Sequence, residues 1–246
     1  MSKVIYSGII QNKEIARGVF KMQLKIPGDY PAPEPGQFVN LYLNDESRLL
    51  PRPLSVCDWE DGVLTLVYAV VGAGTKLIST YSDKIRCSTP LGGAYKLEGS
   101  GGCILAGGGV GTPPLLFLAK KLAAAGFTDV RAVLGFRSEP FLTEEFPCAV
   151  EIATDDGSVG FKGNVIELLG DVPDNSRIFS CGPKPMLKAL ADYAKKRELS
   201  LQVSLEERMG CGYGACVGCT CKTTKGNRKV CEDGPVFWGN EVIWDE

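Results

Sequence analysis

The chain has 246 residues, of which 44% are hydrophobic, enough for one large or two ordinary domains and a further small segment. Its formal net charge of -2 offers no basic surface to a phosphate backbone, so we expect no nucleic-acid partner. No stretch approaches the ~18 uninterrupted apolar residues of a membrane span, and the N-terminus has no signal-peptide pattern, so a cytoplasmic protein is predicted.

The first part of the chain, residues 1–98, carries short apolar runs separated by turn signals. The runs are residues 3–15, 19–27, 37–45 and 63–71, and a proline-rich turn separates the second from the third. Short strands with frequent turns predict an antiparallel β-barrel or sandwich domain.

Within this part, prolines flank Arg52 and fix the backbone on both sides of it, and Ser55 follows at the start of an apolar strand. A planar guanidinium beside a hydroxyl suits a phosphate and a ring heteroatom. A rigid strand entry without a ligand is the alternative interpretation.

The pattern changes at residues 99–102, a run rich in glycine. From there to residue 204, apolar runs alternate with helical patterns, which predicts a parallel sheet with helices on its faces. The expected strands are 103–107, 130–136, 148–154, 176–182 and 199–205, and the expected helices are 113–126, 163–172 and 183–199. Gly126 is expected to end the first of these helices.

A glycine-rich turn joins the first of these strands to the first helix. Glycines at 107, 108, 109 and 111 allow a tight turn and the close approach of a pyrophosphate, and the prolines that follow remove only N–H groups without intrahelical partners. The acidic ribose-binding residue expected ~20 positions further on is missing. A structural turn without a ligand therefore remains an alternative.

Four of the ten cysteines lie within residues 211–221, and the chain has no histidine. Cys211, Cys216, Cys219 and the distant Cys231 follow the C-x4-C-x2-C…C spacing of plant-type [2Fe-2S] sites. Cys221 is a spare thiol. Tetrahedral zinc and disulfides are the alternatives.

The segment 205–246 that holds these cysteines forms a third predicted domain. It has too little apolar patterning for a core of its own, so we expect bound metal to fold it. Without histidine, a cofactor is expected to carry any redox chemistry. Four scattered cysteines, Cys57, Cys87, Cys103 and Cys148, are interpreted as small buried hydrophobic residues.

In this order, the motifs resemble those of the ferredoxin-NADP reductase superfamily. The sequence Arg-Pro-Leu-Ser at 52–55 is similar to its flavin motif, residues 107–115 to its nicotinamide glycine loop, and residues 180–187 to its Cys-Gly-Pro signature. Residues 208–222 and 229–237 are more specific, because they resemble the electron-transfer subunits of class 1B dihydroorotate dehydrogenases. The resemblance covers essentially the whole chain.

The resemblance implies a role for each matching residue. Flavin contacts would come from Arg52 to a phosphate of FAD, Ser55 to the ring near N5, and from Pro53, Leu54, Val67, Tyr68, Ala69, Gly74 and Thr75. Gly109, Gly111, Thr112, Cys181 and Gly182 would border NAD, with Cys181 as a polar neighbour of the reacting pair or, alternatively, a buried strand-end residue. Cys211, Cys216, Cys219 and Cys231 would hold the cluster. Leu54 replaces the tyrosine common in the superfamily, and the interval from Cys219 to Cys231 is short.

The resemblance also implies a function. Electrons would pass from an FMN-containing catalytic subunit that oxidises dihydroorotate to orotate, through [2Fe-2S] and FAD, to NAD+, in a heterotetramer with two copies of each subunit. The expected partner surface lies at 211–246, with Trp238 or Trp244 either as anchors or in the core.

Two other functions remain open at this stage. A ferredoxin-NADPH, transhydrogenase or sulfide dehydrogenase type of subunit would use the same cofactors, and Arg137 with Ser138 could then meet a 2′-phosphate. A zinc-stabilised regulatory module would bind nucleotide without redox chemistry.

Overall fold

The structure, a computed structural model, describes residues 3–45 and 47–244. It contains a closed six-stranded barrel, a seven-stranded sheet covered by helices, and a two-stranded hairpin. Within these described ranges no helix is long and apolar enough to cross a membrane.

The barrel contains strands at the four apolar runs predicted for residues 1–98 and two more strands, one before and one after the predicted run 63–71. Its strands are β1 (Val4–Ala16), β2 (Val19–Lys25), β3 (Phe38–Tyr42), β4 (Arg52–Glu60), β5 (Val63–Ala69) and β6 (Lys84–Ser88), and a short helix α1 (Ala73–Ile78) follows β5. Antiparallel pairing in the order β1-β2-β5-β4-β3-β6 closes the barrel, so the barrel alternative is confirmed over the sandwich.

The side chains of strand β3 point alternately into the barrel core and toward the parts of the molecule outside the barrel. Val39 and Leu41 are fully buried inside the barrel, whereas Phe38 packs into a different core. Because successive side chains of a strand point to opposite faces, Asn40 also lies on the outer face. This outer face is where the C-terminal segment packs.

The large sheet has the five predicted parallel strands and a short additional parallel strand, residues 161–162, at one edge. Its elements are β7 (Cys103–Gly108), α2 (Thr112–Ala124), β8 (Val130–Phe136), β9 (Ala149–Thr154), β10 (Phe161–Lys162), α3 (Val165–Leu169), β11 (Arg177–Cys181), α4 (Lys184–Lys196) and β12 (Ser200–Ser204). The strand order is β10-β9-β8-β7-β11-β12, all parallel.

The first long helix ends where the sequence predicts. Gly126 has a φ of 83°, and the N–H of Phe127 donates to the carbonyl of Leu122 at 3.0 Å. This left-handed glycine after the last helical turn satisfies carbonyls that would otherwise lack partners.

The C-terminal segment adds β13 (Thr220–Thr223), β14 (Gly226–Lys229), α5 (Val230–Asp233) and β15 (Val236–Trp238). Strand β15 pairs antiparallel with β12 and becomes the seventh strand of the large sheet. Cys219, Val230, Phe237 and Val242 are buried in one core with side chains of α4 and β12. The segment has no separate core, as expected, but hydrophobic burial against its neighbour contributes to its folding, so the expectation that metal alone folds it is incomplete.

The barrel and the large sheet are joined by packing and by one buried cation. Phe117 of α2 is buried in the barrel core, and Lys120 of the same helix forms an ion pair with Asp58 of β4. Arg177, only 6% exposed, donates to the carbonyls of Leu97 at 2.7 Å and Gly101 at 3.3 Å. Arg177 therefore fixes the linker that connects the two parts.

Candidate functional site

The predicted flavin motif lies at the start of β4, beside the start of α1. The register pairs Arg52 with Leu41 and Ser55 with Phe38. A Cβ built on Gly74 would lie only 2.2 Å from Nε of Arg52, so glycine is required for the guanidinium to lie across the start of α1. The fold thus brings Arg52 and Gly74 together, as the assignment of both to one phosphate group requires.

Thr75 organises the turn that opens α1. Its Oγ1 accepts hydrogen bonds from the N–H groups of Val71 at 3.0 Å and Gly72 at 3.2 Å. The first N–H groups of a helix have no intrahelical acceptor, and such groups favour an anion. The residues therefore fit a pyrophosphate, which the Thr75 backbone rather than its engaged hydroxyl would contact.

In the predicted flavin segment 67–69, the side chain of Tyr68 points into the barrel. Tyr68 is 2% exposed, and its ring stacks on Phe20 inside the barrel, where its hydroxyl donates to Oδ1 of Asn12 at 2.9 Å. Val67 and Ala69 lie on the opposite face of β5 because strand side chains alternate. A flavin outside the barrel would meet the backbone of Tyr68 and not its ring.

The two predicted nucleotide motifs meet at the carboxyl ends of β7 and β11, which are adjacent in the sheet. The register pairs Cys181 with Gly107. A Cβ on Gly111 would lie 2.1 Å from the carbonyl oxygen of Cys181, and one on Gly182 would lie 3.0 Å from the Gly108 nitrogen. Ligands of open α/β sheets bind at this edge.

Thr112 and Gly109 complete the nucleotide edge. Gly109 begins a short 3-10 turn with a φ of 52°, and Thr112 is the first residue of α2. The Oγ1 of Thr112 is buried and has no hydrogen-bond partner among the described residues. An orphaned hydroxyl at a helix start beside a glycine turn fits a bound dinucleotide.

Cys181 is fully buried at the end of β11, and its Sγ lies 3.8 Å from Oε1 of Glu206. Burial raises the pKa of Cys181 well above the usual value, so the residue is a thiol that donates to the carboxyl group. Loss of hydration also raises the pKa of Glu206. Sequence reasoning missed Glu206, although its position two residues after the end of β12, at the same sheet edge, was an available signal.

The four predicted cluster cysteines lie as two pairs. Sγ of Cys219 is 3.3 Å from Sγ of Cys231, while Cys216 donates its N–H to Sγ of Cys211 at 3.4 Å and also contacts it through its side chain. Over the described ranges no three His, Cys, Asp or Glu side chains form a single-ion site. Two thiol pairs fit a centre with two irons, each bound by two thiolates.

Backbone N–H groups and burial give the thiols of Cys211 and Cys231 different pKa values. Burial opposes ionisation of Cys211, but N–H donors from Tyr213, Cys216 and Ala215 outweigh it and lower the pKa of that thiol to about 6. Burial and the adjoining Cys219 sulfur raise the pKa of Cys231 to about 12. The donors fit a centre that carries negative charge on sulfur.

Cys221 and the two tryptophans were also singled out by the sequence. Cys221 is half-buried on β13, and Trp238 and Trp244 are also half-buried. The indole N–H of Trp244 donates to the carbonyl of Gly239 at 3.1 Å. Their role as partner anchors stays a prediction.

Asn40, which sequence reasoning also missed, joins the barrel to the cysteine loop. It is fully buried, and its Nδ2 donates to the carbonyl oxygen of Cys211 at 3.0 Å. A Cβ on Gly212 would lie 2.4 Å from that Nδ2, and Gly212 has a φ of 77°. Because Asn40 stands opposite Pro53 on β4, this contact ties the cysteine loop to the strand next to the flavin motif.

Known proteins resemble the chain along nearly its full length. A family model described as the iron-sulfur cluster binding domain of dihydroorotate dehydrogenase B matches residues 206–243. The dihydroorotate dehydrogenase B (NAD(+)) electron transfer subunit of Caldanaerobacter subterraneus subsp. tengcongensis is 39% identical over 248 residues, which cover 96% of this chain and 97% of that protein. The corresponding subunit of Bacillus caldolyticus is 42% identical over 226 residues, 85% of this chain and 87% of that protein.

A solved structure extends the likeness to three dimensions. The structure of an NADH-dependent reduced ferredoxin-NADP oxidoreductase, described in relation to flavin-based electron bifurcation, superposes with a TM-score of 0.86 at 32% identity, covering 97% of this chain and 90% of that one. The match to an iron-sulfur domain favours an iron-sulfur centre over the zinc-module alternative for residues 206–243. On identities near 40% over nearly the whole length, the chain belongs to the family of dihydroorotate dehydrogenase B (NAD(+)) electron transfer subunits.

Proposed function

We propose that this chain takes electrons one at a time at an iron-sulfur centre and delivers them in pairs to NAD+ through a bound flavin. Its family makes it the electron transfer subunit of an NAD-dependent dihydroorotate dehydrogenase, an oxidoreductase of pyrimidine biosynthesis. The observation that carries the proposal is the contact between Asn40 and Cys211, because it joins the cysteine pairs to the strand next to the flavin motif.

The proposed centre is [2Fe-2S], held by Cys211 and Cys216 on one iron and by Cys219 and Cys231 on the other. The ligand spacing supports this cluster type. The contact between the Cys219 and Cys231 sulfurs supports the second pair, and the contacts of Cys216 with Cys211 support the first.

The proposed flavin is FAD. Arg52 and the first N–H groups of α1 would bind its pyrophosphate, while Ser55, with Pro53, Leu54 and residues 67–69, would border the ring. When bound, the flavin can exchange single electrons with a cluster and an electron pair, as hydride, with a nicotinamide. A cluster carries only single electrons and a nicotinamide only pairs, so the two need the flavin between them. The protein contributes the positions of the three groups.

The proposed NAD site is the edge formed by Gly109, Gly111, Thr112, Cys181 and Gly182. The close packing of Gly111 on the Cys181 carbonyl supports it, since any side chain there would separate the two motifs. The thiol of Cys181 faces Glu206, and we propose that this pair supplies a polar neighbour for the nicotinamide end of the site. The chain would then divide into a flavin domain (1–98), a nucleotide domain (99–204) and a cluster domain (205–246).

The electron source would be an FMN-containing catalytic subunit, with two copies of each subunit in a cytoplasmic complex. Two apolar side chains on the cysteine loop support a docked partner there, because Tyr213 is 55% and Val217 is 75% exposed. Exposed apolar groups beside a redox centre suit an interface through which electrons pass.

The proposal is tested by reconstitution. The cofactor-loaded chain is assayed for dihydroorotate-dependent reduction of NAD+, alone and after mixing with the FMN-containing catalytic subunit, and NADH oxidation with an artificial acceptor is measured in parallel. We expect the chain alone to oxidise NADH but to show no dihydroorotate activity, which appears on mixing. Dihydroorotate activity in the chain alone would overturn the two-subunit scheme.

A ferredoxin-NADP oxidoreductase type of function is the second candidate. It is favoured by the 32% identity to the NADH-dependent reduced ferredoxin-NADP oxidoreductase and by Arg137 and Ser138, which follow β8. The hydroxyl of Ser158 donates to the carbonyl of Ser138 at 2.7 Å and brings Asp156 to the same loop cluster. Because carboxylates repel a 2′-phosphate, we expect NADH to reduce the flavin faster than NADPH; the reverse preference would support this second function.

A further inference from the structure

Lys229, at the end of β14, contacts the cysteine loop through its ammonium group. Its Nζ donates to the carbonyl oxygen of Gly214 at 2.7 Å and lies 2.8 Å from Oε2 of Glu232. Neither Lys229 nor Gly214 is a proposed cluster ligand, and the side chain of Lys229 is only 34% exposed.

The carbonyl that Lys229 holds belongs to a peptide unit that faces the sulfurs. The same peptide unit carries the N–H of Ala215, which hydrogen-bonds to the sulfur of Cys211. The preceding N–H, that of Gly214, donates to Sγ of Cys231 at 3.2 Å. The ammonium therefore holds the peptide unit whose N–H serves Cys211, and the N–H of the neighbouring unit serves Cys231, one cysteine from each pair.

This inference rests on the proposed iron-sulfur site: we propose that Lys229 is a positioning residue that raises the reduction potential of the centre. Adding an electron makes the centre more negative, and N–H groups aimed at the ligand sulfurs favour that state. A cation on the carbonyl polarises the peptide and strengthens its N–H as a donor. Its own charge acts in the same direction.

Glu232 opposes this effect. A Cβ built on Gly214 would lie 2.5 Å from the Glu232 carboxyl group, so the carboxylate lies against the same glycine. Lys229 is shared between the Gly214 carbonyl and this carboxylate. Removing the negative charge of Glu232 should leave the ammonium fully available to the loop.

The hairpin provides a matched control. Lys225 lies at the opposite end of the same hairpin, where Thr223 pairs with Gly226, and forms an ion pair with Glu241. Lys229 lies at the end where it pairs with Thr220, next to Cys219. Lys225→Met and Lys229→Met thus remove the same charge from the two ends of one element.

The experiment measures the midpoint potential of the cluster in the cofactor-loaded chain by a redox titration followed by electron paramagnetic resonance. We expect Lys229→Met to shift the potential to a more negative value and Glu232→Gln to shift it to a more positive value. Lys229→Arg keeps the positive charge, so its potential should stay close to that of the wild-type chain. Lys225→Met should change it by less than half as much as Lys229→Met. Cluster content is checked by iron and sulfide analysis.

The proposal is wrong if Lys229→Met and Lys225→Met shift the potential equally, or if Glu232→Gln shifts it to a more negative value or leaves it unchanged. If Lys229→Met does not retain its cluster, the shift measured in Glu232→Gln alone tests the proposal, because that variant keeps the contact between Lys229 and the Gly214 carbonyl. The potential is a property of this chain alone, so the wrong choice of electron donor would leave this result intact. Absence of iron from the loaded wild-type chain would instead refute the proposed function.

Discussion

At the scale of single residues, thiols of one type differ because some receive more backbone N–H donors than others, and some are more deeply buried. Cys211 receives N–H donors from its own loop, whereas Cys231 is buried beside another sulfur. Hydrogen bonds to a thiolate lower a thiol pKa, and burial raises it.

This difference predicts an order of alkylation in the cluster-free chain. Since the thiolate is the reactive form, the rate at Cys211 should rise as pH increases through about 6. Iodoacetamide at neutral pH, followed by mass spectrometry, should modify Cys211 before Cys148, whose pKa is raised by burial. Of these three cysteines, Cys231, with a pKa of about 12, should react last. Equal rates at Cys211 and Cys148 would contradict the assignment of donors.

The lowered pKa of Cys211 also makes the stability of the folded state depend on pH. The folded pKa of Cys211 lies below its usual value of 9.0, so ionisation stabilises the folded state above that value. This contribution is lost as pH falls from about 9 through about 6.

Gly111 gives a second prediction at this scale. Its backbone is not left-handed, so the only obstacle to a side chain is the Cys181 carbonyl, 2.1 Å from a built Cβ. Gly111→Ala should force the two nucleotide motifs apart and lower the affinity for NADH at least about tenfold, a loss of about 1.4 kcal/mol. The measurement is flavin reduction by NADH in a stopped-flow instrument.

Gly126→Ala is the matched control for that variant. Gly126 has a φ of 83° and no atom within 4 Å of a built Cβ, so the change costs roughly 1–2 kcal/mol of backbone strain at a remote helix end. It should leave the affinity for NADH unchanged. An equal loss of affinity in both variants would mean that general destabilisation, not contact with Cys181, explains the result.

At the scale of elements, strand β3 is both a wall of the barrel and a support for the cysteine loop. Its inner residues, Val39 and Leu41, are buried in the barrel, and its outer residues, Phe38 and Asn40, face the C-terminal segment. The period of two in a strand allows five residues to serve both parts.

Removing the Asn40 amide should therefore loosen the cluster without opening the barrel. Asn40→Leu has a similar volume but leaves the Cys211 carbonyl without its donor, at a cost of about 0.5–1.5 kcal/mol. We expect iron to leave the loaded variant faster in the presence of a chelator, as followed by visible absorption, while FAD stays bound.

Asn164→Ala is the control, because it also removes an asparagine side chain that makes defined hydrogen bonds to the backbone. Asn164 caps α3 by accepting hydrogen bonds from Ile166 at 2.9 Å and Glu167 at 3.1 Å, far along the chain from the cysteines. Its removal should cost about 1 kcal/mol of folding free energy. If iron leaves both variants at the wild-type rate, Asn40 does not hold the loop.

At the scale of the whole molecule, the C-terminal segment is a structural part of the nucleotide sheet. Strand β15 covers the edge of β12, and Phe237 and Val242 fill the core beneath it. An uncovered strand edge and an opened core both favour aggregation.

Truncation after residue 204 should therefore destabilise the nucleotide domain. The truncated chain should lose its cooperative urea transition or aggregate, whereas a full-length chain with serine at the four predicted ligand positions should keep β15 and remain folded. Circular dichroism and limited proteolysis in urea measure both. A truncated chain as stable as the serine variant would show that 205–246 is an independent module.

The sequence by itself determined the order of the elements, the three groups of motif residues and the family. Turn signals and apolar periods are local, so most strands of the barrel and sheet were predicted close to their observed bounds, whereas β6, β10 and β15 were missed. Gly126 ended its helix as expected for the same reason. Cysteine spacing is equally local, which is why the four ligand positions could be proposed before any fold was known.

Only the tertiary structure decided which of these local features meet. The inward ring of Tyr68, the place of β15 in the large sheet and the contacts of Asn40, Glu206 and Lys229 all depend on residues far apart in the chain. A polar residue in the middle of a strand carries no sign of its partner, because that partner is chosen by strand register and by the packing of one domain on the next. The physical reason is that local patterns fix backbone conformation, whereas contacts between distant residues follow from burying the shared core.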